Sequence, residues 1–163
     1  MNTLRVVNDF LASIAMTLAM CIIFIMVAAL TLSASTRFIT GSGFAWFIEL
    51  PPVLVSWLVF PLLGPLLKKG QHIQVDFLTP ILSKKLKKII NFSVNLIALI
   101  SACIFFKAGF DATQLYYDLG QMLDIEIEVP IWWMFLAFPV GFFILGLVSL
   151  ELLIDDFFDL LKT

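Results

Sequence analysis

The stretch Lys68–Lys88, KKGQHIQVDFLTPILSKKLKK, decides the architecture of this chain. It contains six of the ten basic residues and the only histidine, and it lies between two long apolar stretches. Lysine clusters of this kind mark the side of a membrane on which the link between two spans stays. The stretch therefore predicts both a membrane protein and the orientation of its spans.

The overall composition also indicates an integral membrane protein. Of the 163 residues, 61% are hydrophobic and 13% are charged, whereas a soluble domain has roughly 25% charged residues. Too little polar surface remains to cover a water-soluble domain. The basic cluster is short and flanked by apolar stretches, so nucleic acid is not an expected partner.

Four apolar intervals predict four transmembrane helices. Each is near the ~20 residues that a helix needs to cross the hydrocarbon core. Such segments must be helical in lipid, because every backbone amide needs a partner within the segment. We predict an all-α integral membrane protein with a single membrane domain, 1–163, and spans at about 10–33, 47–67, 88–110 and 130–152.

The distribution of charge predicts the orientation of these spans. Six lysines and one aspartate lie in the link between spans two and three, whereas the link between spans three and four is acidic. The positive-inside rule places the lysine-rich link in the cytoplasm, and both termini follow it there. The link at about 34–46 and the acidic link then face the other side, where Trp46, Trp132 and Trp133 fit an interfacial aromatic belt.

The lysine-rich link also carries a helical pattern. Thr79-Pro80 resembles an N-cap followed by proline at the first helical position, and apolar residues then recur at helical spacing. We predict an amphipathic helix at about 79–88 in the cytoplasmic interface. Its lysines would contact anionic lipid headgroups, namely Lys84, Lys85, Lys87 and Lys88. The alternative is a simple charged end to span three.

Span two is rich in proline. Pro51-Pro52 is consistent with a helix start, and Pro61 with Gly64-Pro65 should bend the other half of the span. A static kink and a gating hinge are both consistent with this pattern.

The spans lack the groups that most membrane chemistry needs. Ion coupling needs ionisable side chains at membrane depth, and a haem anchor needs histidines inside the helices, but His72 lies in a link. Cys21 and Cys103 fall in apolar stretches as small hydrophobic residues. Asn91 and Asn95 share a helix face and should hydrogen-bond a neighbouring helix. We therefore expect no enzyme activity and no cofactor, but an accessory or scaffold subunit.

Several motifs together resemble one family. They are Arg37-Phe-Ile-Thr-Gly41, Trp46-Phe-Ile-Glu49, Lys69-Gly-Gln-His72-Ile-Gln-Val-Asp76, Val129-Pro-Ile-Trp-Trp133 and Pro139-Val-Gly141. This combination resembles the small membrane subunit of tripartite ATP-independent periplasmic (TRAP) transporters, also called the DctQ-like family. The resemblance covers nearly the whole chain.

The resemblance implies a role and partners. Such a subunit pairs with a large membrane subunit, which carries sodium and substrate by an elevator-type motion and would move against a scaffold widened by the small subunit. A periplasmic substrate-binding protein delivers the substrate, usually an organic acid. The expected location is the bacterial inner membrane, and the end of this chain soon after span four suggests an unfused subunit.

Three groups of residues are candidates for that role. Arg37 and Glu49 would pair at the outer interface, unless each is independently solvated. His72 and Asp76, at i and i+4, would fix the bend after span two, with proton sensing as the alternative role for the histidine.

The acidic outer link is the third candidate. Asp118, Asp124 and Glu126 would help dock the binding protein, or would serve only as solvated charge. Two other classes of protein stay open: a membrane anchor for another complex, and a small transporter or channel that assembles with itself. Small multidrug carriers need a carboxylate in span one, and span one has none.

Overall fold

The computed structural model describes residues 2–42, 46–70, 84–123 and 128–161. Four parts of it are long and apolar enough to cross a membrane: Thr3–Thr40, Phe47–Lys68, Leu86–Leu119 and Ile131–Asp159. In order, the elements are α1 (Asn2–Thr40), α2 (Trp46–Val59), a 3-10 turn (Phe60–Leu62), α3 (Leu63–Lys68), α4 (Lys84–Leu119), α5 (Ile131–Phe135) and α6 (Ala137–Leu161). The predicted all-α fold with four spans is confirmed.

The predicted interfacial helix at about 79–88 falls largely outside the described residues. Residues 84–88 are the first turns of α4, and α4 continues from them without a break to Leu119. A separate helix that begins at about residue 79 stays a prediction.

Helix α1 packs through a seam of mostly small side chains. Its buried residues recur at steps of three, four or seven, and they are Asn8, Ala15, Ala19, Ile22, Ala29 and Ser33. That spacing keeps them on one face of a helix. Small residues let two helix backbones approach closely, which is how helices associate in lipid. Between Phe10 and Leu32 the other faces of α1 are mostly apolar and exposed.

The second span changes its helical geometry at proline. Pro51 and Pro52 lie inside α2, which begins at Trp46, so the helix starts before the proline pair rather than at it. The two prolines lack the N–H groups that the helix ladder would use at that point. At Pro61 the span tightens into the 3-10 turn before α3 resumes. The bend expected near Pro61 therefore takes the form of a local 3-10 turn.

Helix α6 lies at the centre of the assembly. It packs against α4, α3 and the 3-10 turn, and also against α1, while α1 packs mainly on α2. Half (50%) of the most apolar part of the fourth span is buried within the chain, against 17% for the first span and 11% for the third. Helices α1 and α4 are therefore the flanks, and their outer faces are available to lipid or to a partner.

Two glycines let α6 approach the second span. A Cβ at Gly141 would overlap the backbone carbonyl group of Phe60, and one at Gly64 would lie 2.8 Å from Ile144 Cγ2. Next to these contacts lies an apolar core, formed by Leu67, Ala102, Leu145 and Val148.

The assembly has two chemically distinct ends. The terminal end holds the start of α1, the end of α3, the start of α4 and the end of α6, as the contacts of Lys68 with Asp9 and of Lys88 with Asp159 show. The aromatic end holds α5 and the end of α4, where Tyr117 meets Trp132, and Trp57, near the end of α2, packs on Trp133 there.

Candidate functional site

Glu151 of α6 is the centre of a polar network at the terminal end. Its side chain is only 6% exposed, and Lys68 Nζ lies 2.9 Å from its Oε1 and 3.1 Å from its Oε2. Asn8 Nδ2 donates a hydrogen bond of 2.6 Å to Oε2, and Arg5 Nε lies 3.9 Å from Oε1. One carboxylate thus joins α1, α3 and α6.

Two further carboxylates extend this network. Lys68 Nζ lies 2.8 Å from Asp9 Oδ1, and one terminal nitrogen of Arg5 lies 2.7 Å from both oxygens of Asp155. Arg5 and Asp9 are one helical turn apart, so they share a face of α1, and Glu151 and Asp155 share a face of α6 in the same way. We call this group the ion cluster: Arg5, Asn8, Asp9, Lys68, Glu151 and Asp155.

Burial separates the strong contacts of the cluster from the weak ones. The side chains of Arg5 and Asp155 are 47% and 32% exposed, and that of Asp9 is 68% exposed. Exposed ion pairs contribute little, because water and salt screen them. Removing one partner of a buried pair costs about 3–5 kcal/mol, since it leaves an uncompensated charge. The contact between Lys68 and Glu151 is therefore the one on which the cluster depends.

Asn8 fixes the axial position of α1. It is fully buried in the seam of α1, and its Nδ2 also lies 3.1 Å from the carbonyl oxygen of Leu147. A polar side chain within an apolar helix seam specifies register, because a slipped helix would leave it without its partners. Asn8 thus sets α1 at a defined height beside α6.

A second group of contacts ties α4 to α6 at the same end. Asn95 Nδ2 donates a hydrogen bond of 2.8 Å to Asp156 Oδ2, and Lys88 Nζ donates one of 3.0 Å to the carbonyl oxygen of Asp159. The prediction that Asn95 bonds to a neighbouring helix is confirmed, whereas Asn91 is exposed. Both flanking helices are thus tied to α6 by polar contacts at the terminal end.

The aromatic end is held by rings and one indole hydrogen bond. Trp57 Nε1 donates a hydrogen bond of 3.0 Å to the carbonyl oxygen of Trp133. Tyr116 stacks on Phe135 with ring centroids 4.4 Å apart, and Tyr117 meets Trp132 edge to face. These contacts join α4 to α5, and α5 to the second span.

The predicted outer pair occupies opposite ends of a link. Arg37 is exposed in the last turn of α1, and Glu49 is half-buried in the first turn of α2. Their ion pair stays a prediction. Asp118 is exposed near the end of α4.

The other predicted site residues are described in part or not at all. Lys87 is exposed and Lys88 half-buried in the first turns of α4, while only the backbone of Lys84 and Lys85 is described. His72, Asp76, Asp124 and Glu126 lie outside the described residues. The roles given to these residues stay predictions.

Sequence reasoning missed the ion cluster. In the sequence Lys68 serves only to orient the spans, and no role is assigned to Arg5, Asp9, Glu151 or Asp155. A signal was present: Arg5 and Asp9, and likewise Glu151 and Asp155, are spaced i and i+4 at the terminal ends of spans one and four. Charges at the same depth on three adjacent spans can pair with one another.

The chemistry that this arrangement supports is structural. The cluster pairs opposite charges across three helices, and its cations and carboxylates already contact each other. Within residues 2–42, 46–70, 84–123 and 128–161, no group of three His, Cys, Asp or Glu side chains could hold a metal ion. The contacts of the cluster join α1, α3 and α6.

Comparison with known proteins places the chain in a family. The sequence model of the family described as "Tripartite ATP-independent periplasmic transporters, DctQ component" matches residues 26–159. No curated protein matches the chain. The matched segment takes in most of α1 and all of the second, third and fourth spans down to Asp159. The chain therefore belongs to the DctQ family, the small membrane subunits of TRAP transporters.

Proposed function

We propose that this chain scaffolds the large membrane subunit of a TRAP transporter during sodium-coupled uptake of an organic acid. The observation that carries the proposal is the family match over residues 26–159. A large membrane subunit and a periplasmic binding protein are the partners of this family. In this role the chain contributes packing surface, and the large subunit holds the substrate and sodium sites.

The packing of the chain is consistent with a scaffold. An elevator-type carrier needs a part that stays still while another part moves. Here α6 contacts all three other spans, and the ion cluster holds α1 and α3 against it. The flanking helix α4 keeps only 11% of its most apolar part buried within the chain, so its outer face suits a protein or lipid neighbour. Membrane helices associate through such faces by close packing.

The orientation belongs to the same proposal. The chain is a multi-pass protein of the bacterial inner membrane. The terminal end, with Lys68, Lys69, Lys87 and Lys88, would face the cytoplasm, and the aromatic end would face the periplasm. Single cysteines at Lys87 and Asp118, in a background where Cys21 and Cys103 are serine, would test this. We expect an impermeant thiol reagent applied to whole cells to label position 118 and not position 87. Labelling of position 87 alone would reverse the orientation.

The predicted periplasmic contacts are part of the proposal as well. The pair of Arg37 with Glu49 would hold the outer link, and Asp118, Asp124 and Glu126 would steer the binding protein. His72 with Asp76 would fix the joint after Gly70, and the lysines of residues 84–88 would contact headgroups. Charge reversal at the three acidic positions should slow uptake at low salt more than at high salt.

Reconstitution tests the central role. The chain, tagged and co-expressed with its large membrane subunit, should purify as a complex. Proteoliposomes of that complex should take up substrate only with the binding protein and an inward sodium gradient. Vesicles with the tagged chain alone should show no flux. Flux through the chain alone would favour a self-assembled channel, and purification with an unrelated enzyme would favour a membrane anchor.

A further inference from the structure

A second feature, separate from the ion cluster, is an apolar groove between α1 and the second span. It is a half-open groove with a volume of about 160 Å³. The walls are apolar, and most of them come from Met16, Ala19, Met20 and Ile23 on α1 and from Pro65 and Leu66 on α3. From Met16 to Ile23 the groove follows α1 for about 10 Å, so it suits one stretch of an acyl chain.

A lysine completes the lining of this groove. Lys69 is exposed, and its Nζ lies 3.1 Å from Met16 Sδ. A thioether sulfur is a weak acceptor for an ammonium group. The preceding residue differs sharply, because Lys68 Nζ lies within 3 Å of carboxylate oxygens on Asp9 and Glu151. Of the two adjacent lysines, Lys68 thus contacts carboxylates, whereas Lys69 contacts a thioether sulfur.

We propose that the groove between α1 and α3 binds an anionic phospholipid. One acyl chain would lie along the apolar wall, and the flexible Lys69 side chain would turn from Met16 to the phosphate. The charge of Lys69 complements the headgroup, and a lysine near a membrane surface favours an anionic lipid by electrostatic attraction. Position supports the same occupant, because Lys69 directly follows the last residue of α3, at the end of the apolar segment Phe47–Lys68. The inference does not depend on the transport role.

Native mass spectrometry of the full chain can test this site. The chain would be incorporated into nanodiscs of equimolar phosphatidylcholine and phosphatidylglycerol, and the lipids retained on release would be counted. We expect wild-type protein to retain phosphatidylglycerol in preference to phosphatidylcholine. Lys69→Gln should reduce that preference roughly fivefold, as expected for the loss of one lysine near the surface. Lys107→Gln, which removes an exposed charge of α4 away from the groove, should leave the preference unchanged.

A second pair of variants tests the acyl chain separately. Met20→Trp should fill the groove and reduce retention of both lipids, whereas Leu18→Trp, at an exposed position outside the groove, should not. Each variant would be compared with wild type for elution profile and thermal unfolding in detergent. Inorganic phosphate added to the nanodiscs should not displace the lipid, since the groove needs the acyl chain.

Four results would overturn the proposal. They are an unchanged lipid preference in Lys69→Gln, an equal loss in Lys107→Gln, displacement of the lipid by inorganic phosphate, and loss of retention when the large subunit is present. The last result would mean that a protein partner covers the groove.

Discussion

Different interactions stabilise the two ends of the assembly. At the terminal end, Glu151 is buried among Asn8, Lys68 and Arg5, so charge and hydrogen bonds join three helices. At the aromatic end, rings and one indole hydrogen bond from Trp57 do the joining. Aromatic pairs contribute about 0.5–1.5 kcal/mol each, and they tolerate small shifts. A buried charge tolerates no loss of its partner. Single substitutions should therefore destabilise the fold more at the terminal end, which we call the brittle end, than at the aromatic end.

The largest effect is expected from Lys68→Met. This change removes the nearer cation from the buried Glu151 carboxylate and leaves it only Arg5 Nε, at 3.9 Å. Because Lys68 is itself partly exposed, the expected cost is about 3 kcal/mol, the low end for a buried pair. Unfolding by SDS in mixed micelles would measure the loss. Lys107→Met, an exposed lysine of α4 outside the cluster, is the matched control and should unfold like wild type. Equal stability of the two variants would mean that the terminal end is not brittle.

The next largest effect lies between the two ends, at Gly141. Gly141→Ala forces a Cβ into the backbone carbonyl group of Phe60, and such overpacking typically costs about 1–3 kcal/mol. Gly146→Ala is the control on the same helix, because its Cβ would lie 3.6 Å from Ala102 Cβ, an ordinary contact. Thermal unfolding in detergent should separate the two. A neutral Gly141→Ala would show that the second span can move away from α6.

A smaller effect is expected at the aromatic end from Trp57→Phe. A smaller aromatic ring replaces the indole, and the hydrogen bond to the Trp133 carbonyl oxygen is lost. Loss of that hydrogen bond costs about 1 kcal/mol. Trp133→Phe is the control, since it changes a side chain and leaves the backbone acceptor in place. Thermal unfolding would compare both with wild type. A loss as large as that of Lys68→Met would remove the contrast between the ends.

The smallest effect is expected from Arg5→Gln. Arg5 and Asp155 form an ion pair whose side chains are 47% and 32% exposed, and water and salt screen such pairs. The variant should unfold slightly earlier than wild type at low ionic strength and together with it at high salt. Asp155→Asn should behave in the same way. Strong destabilisation that persists at high salt would move the centre of the cluster from Lys68 to Arg5.

The fold could be predicted from the sequence because few backbone structures can cross a lipid bilayer. Charge-free intervals ended near Lys68, Lys88 and Glu151, and a helix is the only way for one such segment to cross the hydrocarbon core. Pro61 also marked the place where the second span changes geometry. Asn95 could be assigned to a helix–helix contact because a polar amide at membrane depth needs a partner.

The candidate site was not accessible in the same way. The positions of Lys68 and Glu151 in the sequence place them at the ends of apolar spans. They do not show that the two spans are neighbours. Pairing depends on α6 packing against both α3 and α1, and this arrangement follows from close approaches such as that of Gly141 to Phe60. Asn8 lies before the first apolar stretch, and the sequence does not show that it is fully buried in the seam of α1.

A double-mutant cycle on Lys68 and Glu151 tests the central claim most directly. The measurement is the free energy of unfolding by SDS for wild type, Lys68→Met, Glu151→Met and the double variant. Lys68→Met removes the nearer cation from the buried Glu151 carboxylate, and Glu151→Met leaves Lys68 with only Asp9, whereas the double change replaces the pair with apolar side chains. We predict that the double variant recovers most of the loss, with a coupling energy of about 2 kcal/mol or more. Additive losses, with no coupling, would contradict the claim that this pair ties the terminal end together.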